Sequence, residues 1–218
     1  KLLKAMKIKT FGFVQQIGNI KCEKININYI EKNSLRIADK GKFDEMANLI
    51  DSVRKSGDSI GGVIEVRSTG MPAGLGSPVF EKLDARLSSA IMGIGGVRGF
   101  EIGLGFQVAS MKGSEVNDIM VGKSKGKVKF RTNNAGGILG GISNGNDLIL
   151  RFALKPTSSI SQKQDSIDNK GKQKKLQVKG RHDPCLCPRA VPIAEAMVNL
   201  VLLDCILENN LSTVKKIT

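Results

Sequence analysis

The chain has 218 residues, enough for one sizeable hydrophobic core or two small ones. Its 34 lysines and arginines outnumber its 20 aspartates and glutamates, and the net charge of +14 favours an anionic partner: nucleic acid, an acidic membrane surface or a multiply charged small molecule. Aromatic residues make up only 4% and do not alternate with the basic ones, so the composition argues against a protein that binds single-stranded nucleic acid by base stacking.

The four cysteines follow no zinc-binding pattern; they are Cys22, Cys185, Cys187 and Cys205. One residue separates Cys185 from Cys187, whereas the cysteine pairs of structural zinc sites enclose two to four. We therefore expect free thiols in a reducing cytoplasm, with no metal and no disulfide between Cys185 and Cys187. Residues 191–207 are apolar but are interrupted by three polar residues, which predicts a buried helix and not a membrane span.

Hydrophobic periodicity predicts the secondary structure in chain order. The predicted strands are residues 8–20, 61–69, 97–106 and 147–154. The predicted helices are residues 42–54, 77–92 and 191–207, the second with Ser77 as its N-cap and Pro78 in its first position. Residues 22–36 show no clear pattern, residues 111–129 are predicted to form a polar loop, and residues 161–179, with six lysines, a mobile basic loop. Helices and strands in mixed order predict an α+β fold.

The densest chemistry lies in residues 133–159. Five glycines fall between Gly136 and Gly145, where the backbone can adopt a positive φ or approach a ligand closely. The strand that follows leads to Lys155-Pro156-Thr157-Ser158-Ser159. A cation, a rigid proline and three hydroxyls suit an oxyanion such as phosphate. The alternative is a glycine-rich turn followed by an ordinary solvated loop.

A second chemical cluster is Arg181-His182-Asp183-Pro184, which contains the only histidine of the chain. Arg181 could bind a phosphate or carboxylate through two nitrogen atoms. Asp183 could hold or relay a proton if its surroundings adjust its pKa. The alternative is an ordinary arginine–aspartate ion pair ahead of a helix, with a structural role for His182.

Taken together, the motifs resemble the C-terminal part of the chorismate synthase family. The matching segments, in the family's order, are SGDSIGG (56–62), PAGLGSPVFEKLDARL (72–87), KGSEVND (112–118), NNAGGILGGISNG (133–145), KPTSSI (155–160), GRHDPC (180–185) and RAVPIAEAM (189–197). Such a series is far more specific than any one motif. We expect residues 1–218 to form the C-terminal portion of a single family domain. Residues 1–6 look like the end of a helix that starts earlier, so we expect a fragment or a mature or trimmed product.

The resemblance implies an α+β fold in which a helical layer lies between antiparallel sheets, here incomplete, and assembly as a homotetramer. It implies a lyase of the shikimate pathway of aromatic amino acid biosynthesis, which eliminates phosphate from 5-enolpyruvylshikimate 3-phosphate to give chorismate. The family reaction needs reduced FMN (FMNH2), which donates an electron transiently, although the conversion is redox-neutral. NADPH or a separate flavin reductase would supply the electrons. The implied location is cytoplasmic, with neither nucleic acid nor a membrane as partner.

Carried over by position, the resemblance also implies site residues. It assigns FMN contacts to Gly95, Gly96, Gly140, Lys155, Pro156, Thr157, Ser158, Ser159 and Arg181. It also places Arg181 against the substrate and gives Asp183 a catalytic role in proton transfer near the flavin. No residue is assigned to a metal.

This chain departs from the family pattern in two ways. Gly95 and Gly96 replace a more usual Asn-Ala pair, and the family's GESHG-like, RPGHAD-like and Arg-Ser-Ser-Ala motifs are not in these 218 residues. Both catalytic histidines of the family belong to those motifs, and His182 is neither, so we expect the chain alone to be inactive. The competing hypotheses are a basic RNA-associated binding module and a purely structural or interaction role. Affinity for reduced FMN, against salt-sensitive RNA binding, separates the enzyme from the RNA module.

Overall fold

A computed structural model describes residues 1–124 and 127–211 of the chain. The helices are α1 (Leu2–Ala5), α2 (Phe43–Lys55), α3 (Leu83–Met92), α4 (Gly113–Val116) and α5 (Cys187–Leu211). The strands are β1 (Lys9–Ile17), β2 (Ile20–Lys21), β3 (Gly62–Thr69), β4 (Val97–Ile102), β5 (Met120–Ser124), β6 (Lys127–Phe130), β7 (Ile138–Leu139), β8 (Ile142–Ser143), β9 (Leu148–Leu154), β10 (Gln164–Ile167) and β11 (Gln173–Leu176). Short 3-10 helices occupy Ile27–Lys32, Lys40–Lys42 and Gly105–Ser110.

One five-stranded sheet, in the order β2-β1-β3-β9-β4, contains most of the long strands. β1 and β2 pair in antiparallel register, with Ile17 opposite Ile20. Three further two-stranded antiparallel sheets are formed by β5 with β6, β7 with β8 and β10 with β11. Helices mixed with antiparallel sheets confirm the predicted α+β class.

The chain divides into two compact units. The first unit comprises Lys1–Gly12, Glu65–Phe152 and residues from Val191 onward. Its core is built from hydrophobic side chains of α3, β9 and α5: Leu83, Leu87, Ile91, Leu148, Leu150, Phe152, Val191, Val198 and Leu202. In α3 the buried positions recur every four residues, so one stripe of the helix is apolar.

The second unit comprises Phe13–Ile64 and Ala153–Ala190. Its core is made of Phe13, Ile17, Ile37, Met46, Ile64, Leu154 and Cys187, all of them buried. α2 carries acidic residues in its first turn and basic residues in its last, which suits the helix dipole. Asp39 precedes it, and its carboxylate accepts hydrogen bonds from the backbone N–H groups of Glu23 and Lys24 at 2.9 Å.

Several sequence predictions hold closely. The helix predicted at 42–54 is α2, the strand predicted at 61–69 is β3, and the strand predicted at 147–154 is β9. The strand predicted at 8–20 is a β1–β2 hairpin that turns at Gly18, which has a φ of +55°. These segments carry a clear hydrophobic period and end at glycine or at polar residues.

The predicted start of α3 at Ser77 is wrong. Val79 has a φ of +71°, and Lys82 is extended with a ψ of 138°, so residues 77–82 form a loop and the helix begins at Leu83. The loop closes when the backbone N–H of Ser77 donates to the carbonyl of Glu81 at 3.0 Å. A proline in a favourable position does not start a helix when the next residue has left the helical region.

Three other predictions missed structure. The strand predicted at 97–106 ends at Ile102, because Gly103 and Gly105 both have a φ of +59°. The polar loop predicted at 111–129 contains α4 and the β5–β6 hairpin. Residues 161–179, predicted as a mobile basic loop, contain the exposed β10–β11 hairpin, whose turn is closed by the carboxylate of Asp168.

The C-terminal helix α5 is long and apolar enough to cross a membrane by length and composition alone. The three polar residues within 191–207 were expected to exclude a membrane-spanning composition, but the helix still meets that criterion. However, its buried side chains recur every three to four residues, as in a helix with one face in a protein core. Glu195 also accepts a hydrogen bond from the backbone N–H of Gly12 at 2.6 Å. The buried stripe and this bond support the predicted core helix.

The packing of α3 gives a test of the core of the first unit. We expect Leu87→Ala to lower the free energy of unfolding by about 2–5 kcal/mol, because Leu87 is fully buried and the substitution leaves a cavity. The control is Met92→Ala in the same helix, where the side chain is 44% exposed and the loss should stay below about 1 kcal/mol. Urea denaturation measures both, and equal losses would contradict this assignment of the core.

Candidate functional site

The Lys155–Ser159 segment predicted to bind phosphate is the loop that follows β9. It lies in the second unit and is tied down by the SGDSIGG segment. The Ser59 hydroxyl donates to the carbonyl of Thr157 at 2.6 Å, and the backbone N–H of Ser161 donates to the carbonyl of Gly57 at 3.0 Å. The loop is therefore held at its middle residue and just after its end by residues about 100 positions earlier in the chain.

Gly61 makes this attachment possible. A Cβ built on Gly61 would overlap the carbonyl oxygen of Leu154 and lie 3.0 Å from Cδ of Pro156. The main chain of residue 61 thus runs directly against the start of the loop, where no side chain fits. Pro156 contributes a fixed φ at this point of contact.

The polar groups of the loop differ in their surroundings. The side chains of Lys155, Ser158 and Ser159 are exposed, and Nζ of Lys155 donates to Oγ of Ser158 at 2.8 Å. Thr157 is half-buried, and its hydroxyl donates to the carbonyl of Asp183 at 3.2 Å. An ammonium and a hydroxyl that already touch form a small cluster of donors that an oxyanion can enter from solvent.

The Arg181–Pro184 segment reaches the same loop through backbone contacts. Besides the bond from Thr157, the carbonyl of Pro184 accepts from the backbone N–H of Ile60 at 2.7 Å. Three segments of the second unit, at 57–61, 155–161 and 183–184, are thereby joined by hydrogen bonds. The structure brings the loop predicted to bind phosphate and the main chain of Asp183 into one connected network.

Asp183 forms ion pairs with two arginines, one of them the Arg181 pair that the sequence offered as an alternative. Its carboxylate is 29% exposed and bonds to the guanidinium of Arg189 in the first turns of α5. Arg181 is 3.7 Å away, with 87% of its side chain exposed. Arg189 is thus the close partner, and the guanidinium of Arg181 points into solvent, where it can meet an anion. His182 lies with Nε2 3.2 Å from the carbonyl of Val178, which suits a donated hydrogen bond.

The two cysteines that follow have opposite properties. Cys185 is half-buried and Cys187 fully buried, and neither forms a disulfide. The Cys187 thiol donates a hydrogen bond that lowers the pKa of Cys185, whereas the same contact and burial raise the pKa of Cys187. Sγ of Cys187 packs against Gly62, where a Cβ would come within 2.9 Å of it.

The three glycines predicted to contact flavin lie in the first unit. Gly95 and Gly96 follow α3, and Gly140 forms the tip of the β7–β8 hairpin. A Cβ at Gly95 or Gly140 would meet no atom within 4 Å, so both face open space. Gly96 has a φ of +91° and Gly140 a φ of +60°, which glycine adopts without strain.

The hairpin that carries Gly140 is fixed by a buried serine. The hydroxyl of Ser143 donates to the carbonyl of Pro72 at 2.7 Å and accepts from the backbone N–H of Leu75 at 2.9 Å. The carbonyl of Gly141 accepts from the backbone N–H of Leu83 at 2.8 Å. The PAGLGS loop therefore serves as a rigid support for the glycine turn.

A second support holds the beginning of the glycine-rich segment. The carboxylate of Asp118 accepts from the backbone N–H groups of Asn134 and Ala135 at 2.7 and 3.0 Å, and from the hydroxyl of Thr132. The carbonyl of Asn134 in turn accepts from the backbone N–H of Leu104 at 2.8 Å. The KGSEVND and NNAGG motifs thus form one hydrogen-bonded unit of structure.

Comparison with known proteins identifies the chain. The family model described as chorismate synthase matches residues 1–207. The chain belongs to the chorismate synthase family. A crystal structure of chorismate synthase superposes with a TM-score of 0.78 at 32% identity, covering 94% of this chain and 59% of that one.

Curated relatives named chorismate synthase match over most of this chain. The relative from Archaeoglobus fulgidus is 49% identical over 215 residues, and the one from Methanothermobacter thermautotrophicus is 46% identical over 209. These alignments cover 96% and 94% of this chain but only 59% and 56% of the two relatives. The chain therefore spans less than three fifths of the length of these chorismate synthases, and the family predicted from its motifs is confirmed.

Sequence reasoning missed two residues of the network. Ser59 lies in the SGDSIGG motif, but no local pattern shows that its hydroxyl reaches Thr157, 98 residues later. Arg189 begins the family segment 189–197, and the sequence indicates no role for it, because Arg181 is the arginine nearest to Asp183 along the chain. Arg189 lies six residues after Asp183, and α5 begins between the two. The start of this helix brings the guanidinium of Arg189 to the carboxylate of Asp183.

The contact at Gly61 gives a direct test of the site architecture. We expect Gly61→Ala to lower the free energy of unfolding by about 1–3 kcal/mol, because the new methyl group overlaps the Leu154 carbonyl. Gly113→Ala is the matched control, since a Cβ there meets open space and alanine favours the helix α4. Thermal unfolding followed by circular dichroism measures both, and equal melting temperatures would show that the main chains do not touch at Gly61.

Proposed function

We propose that this chain forms the C-terminal portion of a chorismate synthase, a lyase that eliminates phosphate from 5-enolpyruvylshikimate 3-phosphate with the help of reduced FMN. The observation that carries the proposal is the network that joins the Lys155–Ser159 loop to Asp183 in a chain whose first 207 residues match the family. The excess of cationic residues fits two anionic ligands, the flavin phosphate and the substrate.

The loop after β9 fits the phosphate of FMN. Lys155 and Ser158 already lie 2.8 Å apart and exposed, so their donor groups converge without a side-chain rearrangement. Ser159 adds a third exposed donor. A phosphate oxygen would replace the Lys155–Ser158 contact with two charge-assisted hydrogen bonds, which are stronger than the neutral bonds of the surrounding turns.

The neighbouring segment supplies a cation and a carboxylate. Arg181 can make a bidentate contact to a phosphate or carboxylate oxygen pair, because its guanidinium is solvent-exposed. Asp183 keeps a defined orientation through Arg189 and through the bond to its own carbonyl from Thr157. We assign Asp183 the role of holding and passing a proton at its carboxylate oxygens during the elimination.

The glycine turns of the first unit suit a flat ring system. Gly95 and Gly140 present bare main chain to open space, so a planar group can approach the peptide units closely. When bound, reduced FMN would supply the transient electron that helps the substrate phosphate leave. The supports at Ser143 and Asp118 keep the Gly140 turn and the start of its glycine-rich segment in place before any ligand arrives.

Three further features belong to the same proposal. The electrons for FMN would come from NADPH or from a separate flavin reductase. The active protein would be a cytoplasmic homotetramer. The proposal assigns roles to neither a nucleic acid nor a membrane.

The phosphate loop can be tested with one substitution. We expect Lys155→Ala to weaken FMN binding about tenfold or more, because a charge-assisted hydrogen bond contributes roughly 1.5–3 kcal/mol. Lys163→Ala is the matched control, an exposed lysine at the start of the basic hairpin segment, and should leave FMN affinity unchanged. Fluorescence titration measures both. Equal affinity of both variants and the wild type would contradict the proposal, and salt-sensitive RNA binding without flavin binding would favour the RNA module.

A further prediction concerns activity. We expect residues 1–218 alone to show no chorismate formation in an anaerobic assay with reduced FMN, because groups that act as a unit lose nearly all rate enhancement when several are removed. Adding the part of the Archaeoglobus fulgidus relative that the match does not cover should restore measurable turnover. Robust turnover by these residues alone would show that all catalytic groups lie within them.

A further inference from the structure

The three hydroxyls of the Lys155–Ser159 loop are not equivalent. Ser158 and Ser159 are exposed, whereas Thr157 is half-buried and faces the Arg181–Pro184 segment. A threonine hydroxyl carries one hydrogen, and that of Thr157 is donated to the carbonyl of Asp183 at 3.2 Å. Phosphate oxygens only accept hydrogen bonds at this contact, so the Thr157 side chain has no donor left for them.

The backbone of Thr157 is engaged as well. Its carbonyl accepts the Ser59 hydroxyl at 2.6 Å, which is a short and direct bond. A chain of two hydrogen bonds therefore runs from Ser59 through Thr157 to the residue that carries the candidate proton-transfer group. The bond from Ile60 to the carbonyl of Pro184 runs beside it at 2.7 Å. The Thr157 contact fixes the backbone of Asp183 against the phosphate loop, and the Ile60 contact fixes Pro184 against the SGDSIGG segment.

We infer that Thr157 is a positioning residue for Asp183 and not a ligand of the flavin phosphate. Its hydroxyl holds the Asp183 main chain, so that phosphate capture by Lys155, Ser158 and Ser159 and placement of the carboxylate are mechanically linked. This inference rests on the proposed function and divides the five-residue motif into two roles.

Cys185 offers a reporter that needs no flavin. It follows Asp183 by two residues and is half-buried, whereas Cys22, Cys187 and Cys205 are buried. If the Thr157 bond holds this segment, removing the bond should expose Cys185 more often. Thr157→Val keeps the shape of the side chain without the hydroxyl, and Thr157→Ser keeps the hydroxyl.

The first measurement is the rate of Cys185 alkylation by iodoacetamide, followed by peptide mass spectrometry on the whole chain. We expect Thr157→Val to raise the rate about threefold to tenfold, the range for loss of one neutral hydrogen bond, and Thr157→Ser to stay within about twofold of wild type. Ser59→Ala, which removes the preceding bond, should also raise it and serves if Thr157→Val does not fold. An unchanged rate in every folded variant that lacks one of these bonds would overturn the inference.

The second measurement separates positioning from phosphate binding. Riboflavin lacks the phosphate, so the ratio of riboflavin to FMN dissociation constants reports the phosphate contribution. We expect Lys155→Ala to reduce this ratio about tenfold or more and Thr157→Val to leave it within about twofold of wild type. A fall in Thr157→Val that equals the fall in Lys155→Ala would make Thr157 a phosphate ligand and overturn the inference. If wild type binds neither flavin, the proposed function fails, and the alkylation rates alone decide the role of Thr157.

Discussion

The close passage of one main chain against another at Gly61 is the constraint on which the candidate site depends. A side chain of any size there would push β9 and its loop away, because Leu154 and Pro156 occupy the space that a Cβ needs. Once that contact is made, Ser59 and Ile60 fall opposite Thr157 and Pro184 and can donate their hydrogen bonds. The steric condition therefore comes first, because the absence of a side chain at Gly61 permits the two main chains to approach. The hydrogen bonds then fix which residues lie opposite each other.

The charges of the chain divide into those paired inside a core and those exposed to solvent. In the first unit, Glu65 is 4% exposed and is neutralised by Arg67 at 2.6 Å and by Arg151 at 3.4 Å, and Arg151 also bonds to Glu101 at 2.5 Å. A carboxylate buried to this degree needs such partners, since an unpaired one would cost several kcal/mol. Arg181, by contrast, keeps 87% of its side chain in solvent. A ligand that approaches from solvent meets the net charge of +14 through exposed side chains such as that of Arg181.

Much of the fold could be predicted from the sequence, because the hydrophobic period of a segment and the glycine or polar residues at its ends indicate the same element. α2 and β9 show clean apolar spacing, and Gly18 after Ile17 marks a real change of direction, whereas the turn at Gly103 was missed. The predictions fail where a single backbone angle determines where an element begins or ends. Val79 sits at a φ of +71°, which its side chain disfavours, and no local rule predicts it, so α3 was expected to start six residues too early. The β10–β11 hairpin was missed because its two strands are mostly polar and exposed and lack the apolar alternation that identifies a strand.

For the candidate site, the sequence predicts which residue types can meet an anion, but it does not predict which side chain faces solvent and which faces inward. Sequence indicates that Lys155 through Ser159 can meet an anion, since each side chain but proline has a donor. It does not indicate which hydroxyl turns inward, because the strand β9 alternates and the loop after it does not have to continue that alternation. The hydrogen bond to the carbonyl of Asp183 shows that the inward-facing hydroxyl is that of Thr157. The pairing of Asp183 shows the same limit: the Arg181 pair that the sequence suggested is present at 3.7 Å, but the closer partner is Arg189, which the start of α5 brings to the carboxylate.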